Sequence, residues 1–290
     1  MTVEVKPIKV ICPTCRKEKS IEIPVFLVNE SQDGVLKVQI PQGACCPEHS
    51  FMAFVDKKFV VRGYQNADIE FKVGPPREKV AADKKGEGLK DFSVPDMVNT
   101  IGPDIFAIIL RAILVGIPIL FLDTFDLYER VDKTVMLLRD MESDDLVITG
   151  EKISRDDLKD RKVRRHNALI VVPLYKAIMR SPFQEGLNTR FESDLLNEAT
   201  QLPDRTSQIV FLRKELVKIS KIIDEFVKLL KNVEKLYEED IPAYTRDKFN
   251  YKLDPKNIDV IKQIIEFKFD KKLGQKIISK SLDKIRTDLW

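Results

Sequence analysis

Four cysteines and one histidine near the amino terminus are the residues best suited to hold a metal ion. Cys12 and Cys15 lie three positions apart in Cys-Pro-Thr-Cys, and Cys45-Cys46-Pro-Glu-His49 follows later in the chain. Thiolate sulfur and imidazole nitrogen are the ligands that Zn²⁺ prefers, and a structural site arranges them as a tetrahedron. The types and spacing of these residues therefore predict one structural zinc ion.

The choice of the third ligand rests on spacing. Cys46 and His49 repeat the three-residue step of Cys12 and Cys15, so Cys12, Cys15, Cys46 and His49 are the predicted ligands. Cys45 in place of Cys46 is the alternative, because two adjacent cysteines rarely point at one centre. Clustered cysteines in a cytoplasmic protein indicate metal binding before disulfides. Sites of this type are mostly structural, so we expect no catalysis at the metal.

The segments around these ligands alternate between polar and apolar residues, as β-strands do. The candidate strands lie at residues 21–25, 36–40, 51–55, 59–64 and 69–73. A β module this small is typically stabilised by a metal because its apolar core is small. Residues 1–74 are therefore predicted to form a zinc-ribbon-like β domain.

Part of the predicted ribbon resembles a known group of proteins. Directly after the second ligand pair, the chain reads Phe54-Val-Asp-Lys-Lys-Phe-Val-Val-Arg-Gly-Tyr-Gln65. This phrase resembles the amino-terminal ribbon of uncharacterised proteins from Asgard archaea. The resemblance implies an archaeal cytoplasm rich in small GTPases, and it carries no assigned activity.

The stretch from Ile101 to Leu122 is apolar enough to raise the question of a membrane span. It carries Arg111 within its most apolar part, and Gly116 and Pro118 interrupt it. An arginine near mid-bilayer costs roughly 2.5–3.5 kcal/mol on insertion scales. We therefore predict no transmembrane segment but a buried helix over 103–114, a turn at Gly116 and a buried strand over 117–122.

An α/β domain is predicted over residues 97–185, after a linker over 75–96 that is rich in proline, glycine and charge. Helical and strand patterns alternate in this domain, which favours a mainly parallel sheet. The expected elements after the buried strand are a helix over 126–141, strands over 146–149 and 168–172, and a short helix between them. The basic residues before the last strand are candidates for binding a partner. They are Arg161, Lys162, Arg164 and Arg165.

A second resemblance concerns this domain. The residues Ile109-Leu-Arg-Ala-Ile-Leu-Val-Gly-Ile-Pro-Ile-Leu-Phe121, with the polar turn, helix and strand that follow, are similar to the core of DENN modules, in particular the carboxy-terminal half of folliculin. A Rossmann-like unit shows the same pattern. The DENN resemblance implies a regulator or scaffold of small GTPases. A ribbon stands where such proteins carry a longin-like domain, and no catalytic residue is matched.

The remaining residues, 186–290, are predicted to be helical. Apolar residues recur in steps of three and four from Ile209 to Tyr237, which predicts a heptad helix over about 205–240. Two further helices are expected over 255–269 and 272–289. A fold-back of these helices within one chain and a homodimer through the 205–240 helix are the two arrangements considered. The overall fold class is thus α+β multidomain, with a carboxy-terminal helical bundle.

The composition of the chain and the motifs absent from its sequence limit the classes of function that we consider. The net charge of +3 is too small to indicate nucleic-acid binding by itself, and no secretory signal pattern begins the chain, which predicts a cytoplasmic protein. Phosphate-binding loops, dinucleotide fingerprints and nucleophile elbows are absent from the sequence. We therefore expect a non-enzymatic interaction protein that acts as a DENN-like regulator or scaffold of small GTPases.

Two other functions are kept as alternatives. The first is a nucleic-acid-associated factor that uses a basic and aromatic face of the ribbon. The candidate residues of that face are Lys57, Lys58, Phe59, Arg62 and Tyr64. The second is an enzyme with a cleft beside Gly116 and at the carboxyl end of the strand over 117–122, where ligands bind in open α/β sheets.

Overall fold

The computed structural model is a mixed α/β structure with a seven-stranded sheet among the residues that it describes. Those residues are 4–31, 34–66, 93–122, 134–135, 138, 150–154, 157–159, 167–183, 187–281 and 283–284. The expected strands over 69–73 and 146–149, and most of the expected helix over 126–141, lie outside them. The basic residues Arg161, Lys162, Arg164 and Arg165 also lie outside the described residues.

Most of the strands fall in the first two thirds of the chain. They are β1 (Val5–Ile11), β2 (Glu18–Pro24), β3 (Val35–Ile40), β4 (Phe51–Asp56), β5 (Val61–Asn66), β6 (Ile119–Leu122), β7 (Gly150–Ile153), β8 (Leu169–Val172), β9 (Ala177–Arg180), β10 (Leu236–Tyr237) and β11 (Ile277–Ile278). The helices are α1 (Val25–Glu30), α2 (Val94–Ile101), α3 (Pro103–Val115), α4 (Arg190–Thr200), α5 (Arg205–Asn232), α6 (Ile241–Phe249), α7 (Ile258–Lys268) and α8 (Lys271–Gly274).

The large sheet has the order β5-β4-β3-β9-β8-β6-β7. Strand β3 pairs with β9 in antiparallel register, with Lys37 opposite Ile178 and Val38 opposite Ala177. Strands from both sides of the expected linker therefore lie in one sheet, and the boundary at 75–96 does not separate two sheets. The strand pairing therefore does not support a zinc-ribbon domain that folds by itself over residues 1–74.

The large sheet as a whole is mixed. Strands β7, β6 and β8 run parallel to each other, as expected for the 97–185 domain, whereas β5-β4-β3-β9-β8 pair in antiparallel fashion. Short connections explain the antiparallel pairs β3–β4, β4–β5 and β8–β9. Strands β3, β4 and β5 follow one another in the chain, and β8 is joined to β9 by a single helical turn at Pro173–Tyr175.

The helix, turn and strand predicted from Ile101 to Leu122 are confirmed. Pro103 opens α3, and Gly116 ends it with φ of +83°. The N–H of Ile117 bonds to the carbonyl of Ala112 at 2.9 Å and that of Gly116 to Ile113 at 3.2 Å, which is the Schellman arrangement. Strand β6 begins at Ile119, just after Pro118, because proline has no N–H for a strand ladder.

Helix α2 occupies the end of the expected linker. Ser93 accepts a hydrogen bond from the N–H of Asp96 at 3.3 Å, and the Asp96 carboxylate accepts one from the N–H of Ser93 at 3.0 Å. This capping box satisfies two backbone donors at the start of the helix. No single helix in the described ranges is long and apolar enough to cross a membrane; α2 and α3 meet that test only as a pair, bent by 112°.

Strand β6 contributes to two apolar cores, one on each face of the sheet. Ile119 and Phe121 belong to the core formed with the helices, whereas Leu120 and Leu122 belong to the core beneath the β1–β2 hairpin and α1. Side chains of a strand alternate between its faces, and all four are 5% exposed or less. The apolar composition of β6 follows from burial on both sides.

The carboxy-terminal helices fold back on the chain itself. One apolar stripe of α5, which includes Ile209, Leu216, Phe226 and Leu230, is 6% exposed or less and lies in the helical core. These side chains already have partners within the chain. A homodimer that used this stripe as its seam would first have to open that core, so the fold-back is the arrangement observed.

Helix α5 is shorter than the predicted helix over 205–240. It ends at Asn232, and Val233 takes an extended conformation. The ammonium group of Lys276 donates hydrogen bonds to the carbonyl oxygens of Leu230 at 2.6 Å and Val233 at 2.8 Å, where the helix leaves carbonyls without helical partners. The predicted helix over 272–289 is interrupted after α8, because Ile277 pairs as part of β11 with Leu236 of β10, whereas the described residues from Lys280 to Lys284 are again helical.

A buried ion pair lies inside the helical core. Arg111 of α3 and Glu192 of α4 are 1% and 0% exposed. Nε of Arg111 donates to Oε1 of Glu192, and Nη2 donates to Oε2 at 3.1 Å. Nη2 also donates to the carbonyl oxygen of Asn188 at 2.9 Å. The bidentate geometry fixes α4 against α3, and it explains how the apolar helix accommodates a charge.

We expect Glu192→Gln to lower the free energy of unfolding by about 3–5 kcal/mol, because it leaves the Arg111 charge buried without a counter-charge. Glu225→Gln is the matched control, since Glu225 pairs with Lys248 at the surface, where ion pairs contribute little. Urea denaturation followed by circular dichroism measures both variants. Equal midpoints for the two variants would contradict the assigned role of the buried pair.

Candidate metal centre

Four side chains converge between the β1–β2 turn and the β3–β4 connection. The ligand atoms of Cys12, Cys15, Cys46 and His49 all lie within 4.8 Å of one another, so this group could bind a metal ion. Sγ of Cys12 lies 3.5 Å from Sγ of Cys46, which lies 3.4 Å from Nδ1 of His49. Two sulfurs of a tetrahedral zinc site with bonds of ~2.3 Å are about 3.8 Å apart. The observed spacing is close to that value.

The first ligand pair is positioned by a tight turn between β1 and β2. The N–H of Arg16 bonds to the carbonyl of Cys12 at 2.9 Å, and the N–H of Cys12 bonds to the carbonyl of Lys17 at 2.8 Å. Arg16 has φ of +59°, in the left-handed region. This turn brings Cys15 back over Cys12, and it leaves Cys12 buried and Cys15 exposed.

The second ligand pair lies on the loop after β3. Gly43, with φ of +85°, donates its N–H to the carbonyl of Cys46 at 2.8 Å and so turns the chain. The N–H of His49 points at Sγ of Cys46 at 3.3 Å. A backbone N–H directed at a ligand sulfur stabilises its negative charge when the thiol is deprotonated. The loop thus orients both side chains of the second ligand pair.

Cys45 does not belong to the cluster. Its Sγ lies 3.3 Å from the carbonyl oxygen of Lys17 and 3.9 Å from that of Val10, both in the hairpin. Burial raises the pKa of the Cys45 thiol, so this group stays protonated and donates to those carbonyls. Of the two adjacent cysteines, the structure therefore places Cys46 in the ligand group.

The thiols of the cluster influence one another. Burial raises the pKa of Cys12, but hydrogen bonds from the backbone of Cys15 and Thr14 and from the Cys15 and Cys46 side chains outweigh it and lower that pKa to about 7. A backbone hydrogen bond involving Lys17 lowers the pKa of Cys15, yet burial and the neighbouring sulfurs leave it raised overall. Cys12 thus loses its proton to a cation more readily than Cys15 does.

The ligand group bridges the hairpin and the large sheet. Cys12 and Cys15 belong to the hairpin, whereas Cys46 and His49 follow β3 of the sheet. The hydroxyl of Tyr64 on β5 accepts a hydrogen bond from the N–H of Ile11 at 2.8 Å, and its ring meets Phe51 edge-on at 5.6 Å between centroids. Tyr64 is therefore a second anchor, a role for which the sequence carries no signal.

The basic and aromatic face proposed for nucleic acid is largely engaged within the chain. Arg62 forms a salt bridge with Asp56 at 2.5 Å, and the ammonium group of Lys6 lies 4.5 Å from the centre of the Phe59 ring. Tyr64 is held between Ile11 and Phe51 as described. Base stacking needs open aromatic faces, and these two rings already have partners.

The cleft proposed for an enzyme is described only in part. Gly116 is exposed, and space is open around the position where a side chain would attach. The carboxyl end of β6, at Leu122, leads into residues outside the described ranges. At the carboxyl end of the neighbouring strand β7, the Asp157 carboxylate accepts hydrogen bonds from the N–H and the hydroxyl of Ser154.

No protein-family model, curated protein or solved structure matches this chain.

We expect one metal ion per chain by elemental analysis of the purified protein. Cys12→Ser and Cys46→Ser should each lose it, because serine oxygen is a poor substitute for a thiolate ligand of a soft metal. Cys45→Ser should retain full occupancy, since this side chain faces backbone carbonyls. Loss of metal in Cys45→Ser together with retention in Cys46→Ser would show that the assignment of the adjacent cysteines is wrong.

Proposed function

We propose that Cys12, Cys15, Cys46 and His49 bind one structural Zn²⁺ and that the chain acts as a non-enzymatic interaction protein. The observation that supports this is a closed set of four protein ligand atoms within 4.8 Å of one another. Three thiolates and one imidazole are a common ligand set of structural zinc, and sulfur ligands disfavour hard cations such as Mg²⁺.

The closed ligand set argues against chemistry at the metal. A catalytic zinc keeps one coordination position for water or substrate, whereas four protein side chains fill a tetrahedron. Cys12 and Cys46 are also buried, which keeps solvent from that side of the cluster. The proposed ion links the hairpin to the loop after β3 and does not take part in a reaction.

The proposed role of the zinc is to hold the hairpin on the sheet. Ile8, Val10, Ile23 and Pro24 are the buried residues of the two hairpin strands, and most other hairpin residues are exposed. An element with so small an apolar contact gains much from a metal link. The exposed outer side of the hairpin is then presented as a rigid surface to a protein partner.

We assign small GTPases as the partner class, in an archaeal cytoplasm, with the chain as a DENN-like regulator or scaffold. This assignment rests on the resemblance of Ile109–Phe121 to DENN modules and of Phe54–Gln65 to Asgard archaeal ribbons. The nucleic-acid alternative is less favoured, because Phe59 and Tyr64 already pack against groups of the chain.

Removal of the metal tests the attachment. We expect a chelator to remove hydrogen-exchange protection from the amides of Cys12 and Arg16, which bond within the turn, and to leave α5 protected by its buried core. Mass spectrometry of peptides from the two regions measures this difference. Cys45→Ser with bound metal is the control. Unchanged protection of the turn after complete metal removal would contradict a structural role.

Binding to small GTPases tests the partner class. Purified GTPases in GDP-bound, GTP-analogue-bound and nucleotide-free forms are passed over the immobilised full chain. We expect retention that differs between nucleotide states, because a regulator must bind one state more tightly than another. Retention in no state would contradict the proposal, and salt-sensitive retention of DNA or RNA would favour the nucleic-acid alternative instead.

A further inference from the structure

A pocket of about 470 Å³ opens beside α3, far in the chain from the metal ligands. Its walls come from Pro182, Phe183 and Leu187 after β9 and from α7, and its volume lies within the range of small-molecule sites. Phe183 and Phe267 stand together in the wall with ring centroids 5.3 Å apart. Phe267 is 40% exposed, which is unusual for a phenylalanine, and Leu187 and Ile264 complete the apolar lining.

Besides Glu266 and Lys271, the polar side chains that line the pocket are Arg111 and Gln263, which offer hydrogen-bond donors. Four of the five N–H groups of Arg111 are directed at Glu192, Asn188 and Gln263. The last of these bonds runs from Nη1 to Oε1 of Gln263 at 3.3 Å. The second N–H of Nη1 and the amino group of Gln263 have no hydrogen-bond partner among the described residues. Both side chains line the pocket, and Arg111 is 1% exposed.

The charges around the pocket are balanced. Arg111 is neutralised by Glu192 in the bidentate pair. The mouth of the pocket carries one acidic side chain, Glu266, and one basic side chain, Lys271. A buried charge without a counter-charge is costly, so a charged ligand has no net attraction to compensate for its loss of water here. The pocket chemistry favours a neutral ligand.

We propose that this pocket binds a neutral small molecule with a flat apolar body and a hydrogen-bond acceptor such as a carbonyl or carboxamide oxygen. The apolar body packs against Phe183 and Phe267, and the oxygen accepts hydrogen bonds from Nη1 of Arg111 and from the Gln263 amino group. This ligand site is separate from the zinc ligands and does not depend on the proposed partner class.

Three simple probes separate the contributions to binding. Benzamide has an aromatic ring and a neutral acceptor, toluene has the ring alone, and benzoate adds a charge. We expect saturation-transfer NMR with the full chain to show that benzamide binds about fivefold more tightly than toluene, as one or two net hydrogen bonds allow. Benzoate should bind more weakly than benzamide.

Two variants and one control locate the site. Gln263→Leu keeps the volume of the side chain but removes its donor, so benzamide affinity should fall towards that of toluene, with Nη1 of Arg111 as the remaining donor, while toluene affinity is unchanged. Leu187→Trp should fill the pocket and reduce binding of both probes. Gln275→Leu makes the same change at an exposed glutamine that does not line the pocket and should leave both affinities unchanged. A thermal melt confirms that each variant is folded.

The alternative outcomes are decisive. If neither benzamide nor toluene binds, the pocket does not take small apolar ligands and the proposal is wrong. If benzoate binds most tightly, the neutral-ligand assignment is wrong. If benzamide affinity is the same in Gln263→Leu and Gln275→Leu, the Gln263 amino group does not bind the ligand and the proposal is wrong.

Discussion

Backbone pairing between β3 and β9 is the constraint on which the rest of the structure depends. It joins a meander from the first part of the chain to strands that arrive more than a hundred residues later, with Lys37 opposite Ile178 and Val38 opposite Ala177. The N–H of Gln39 extends the ladder to the carbonyl of Lys176 at 3.0 Å. Because of this pairing, the hairpin with its metal ligands lies over one face of the sheet, and the helices cover the other.

Features governed by neighbours in the chain could be predicted from the sequence. Pro103 and Gly116 delimit α3, and the apolar run after Pro118 forms β6, because both outcomes follow from backbone chemistry at those residues. The grouping of Cys12, Cys15, Cys46 and His49 was accessible for a similar reason. A three-residue step on a tight turn places two ligands side by side whatever the surrounding fold is.

Features that depend on distant partners could not be predicted. Arg111 alone in an apolar helix gives no sign of Glu192, which lies 81 residues away. The division at 75–96 followed composition, which cannot show that β3 and β9 pair across it. Helix α5 continues its apolar pattern beyond Asn232, and only Lys276 and the β10–β11 pairing explain the early end. The orientation of Cys45 likewise depends on carbonyls of the hairpin.

The pairing of β3 with β9 also has a consequence for synthesis of the chain. All four metal ligands and strands β1 to β5 emerge from the ribosome before β9 is made, so the metal site can assemble while the free edge of β3 still lacks its neighbour. An unpaired edge strand promotes association with other chains. Early metal binding would hold the hairpin over one face of the nascent β3–β5 meander. Strand β9 would then pair with the free edge of β3 as the second half of the sheet is completed.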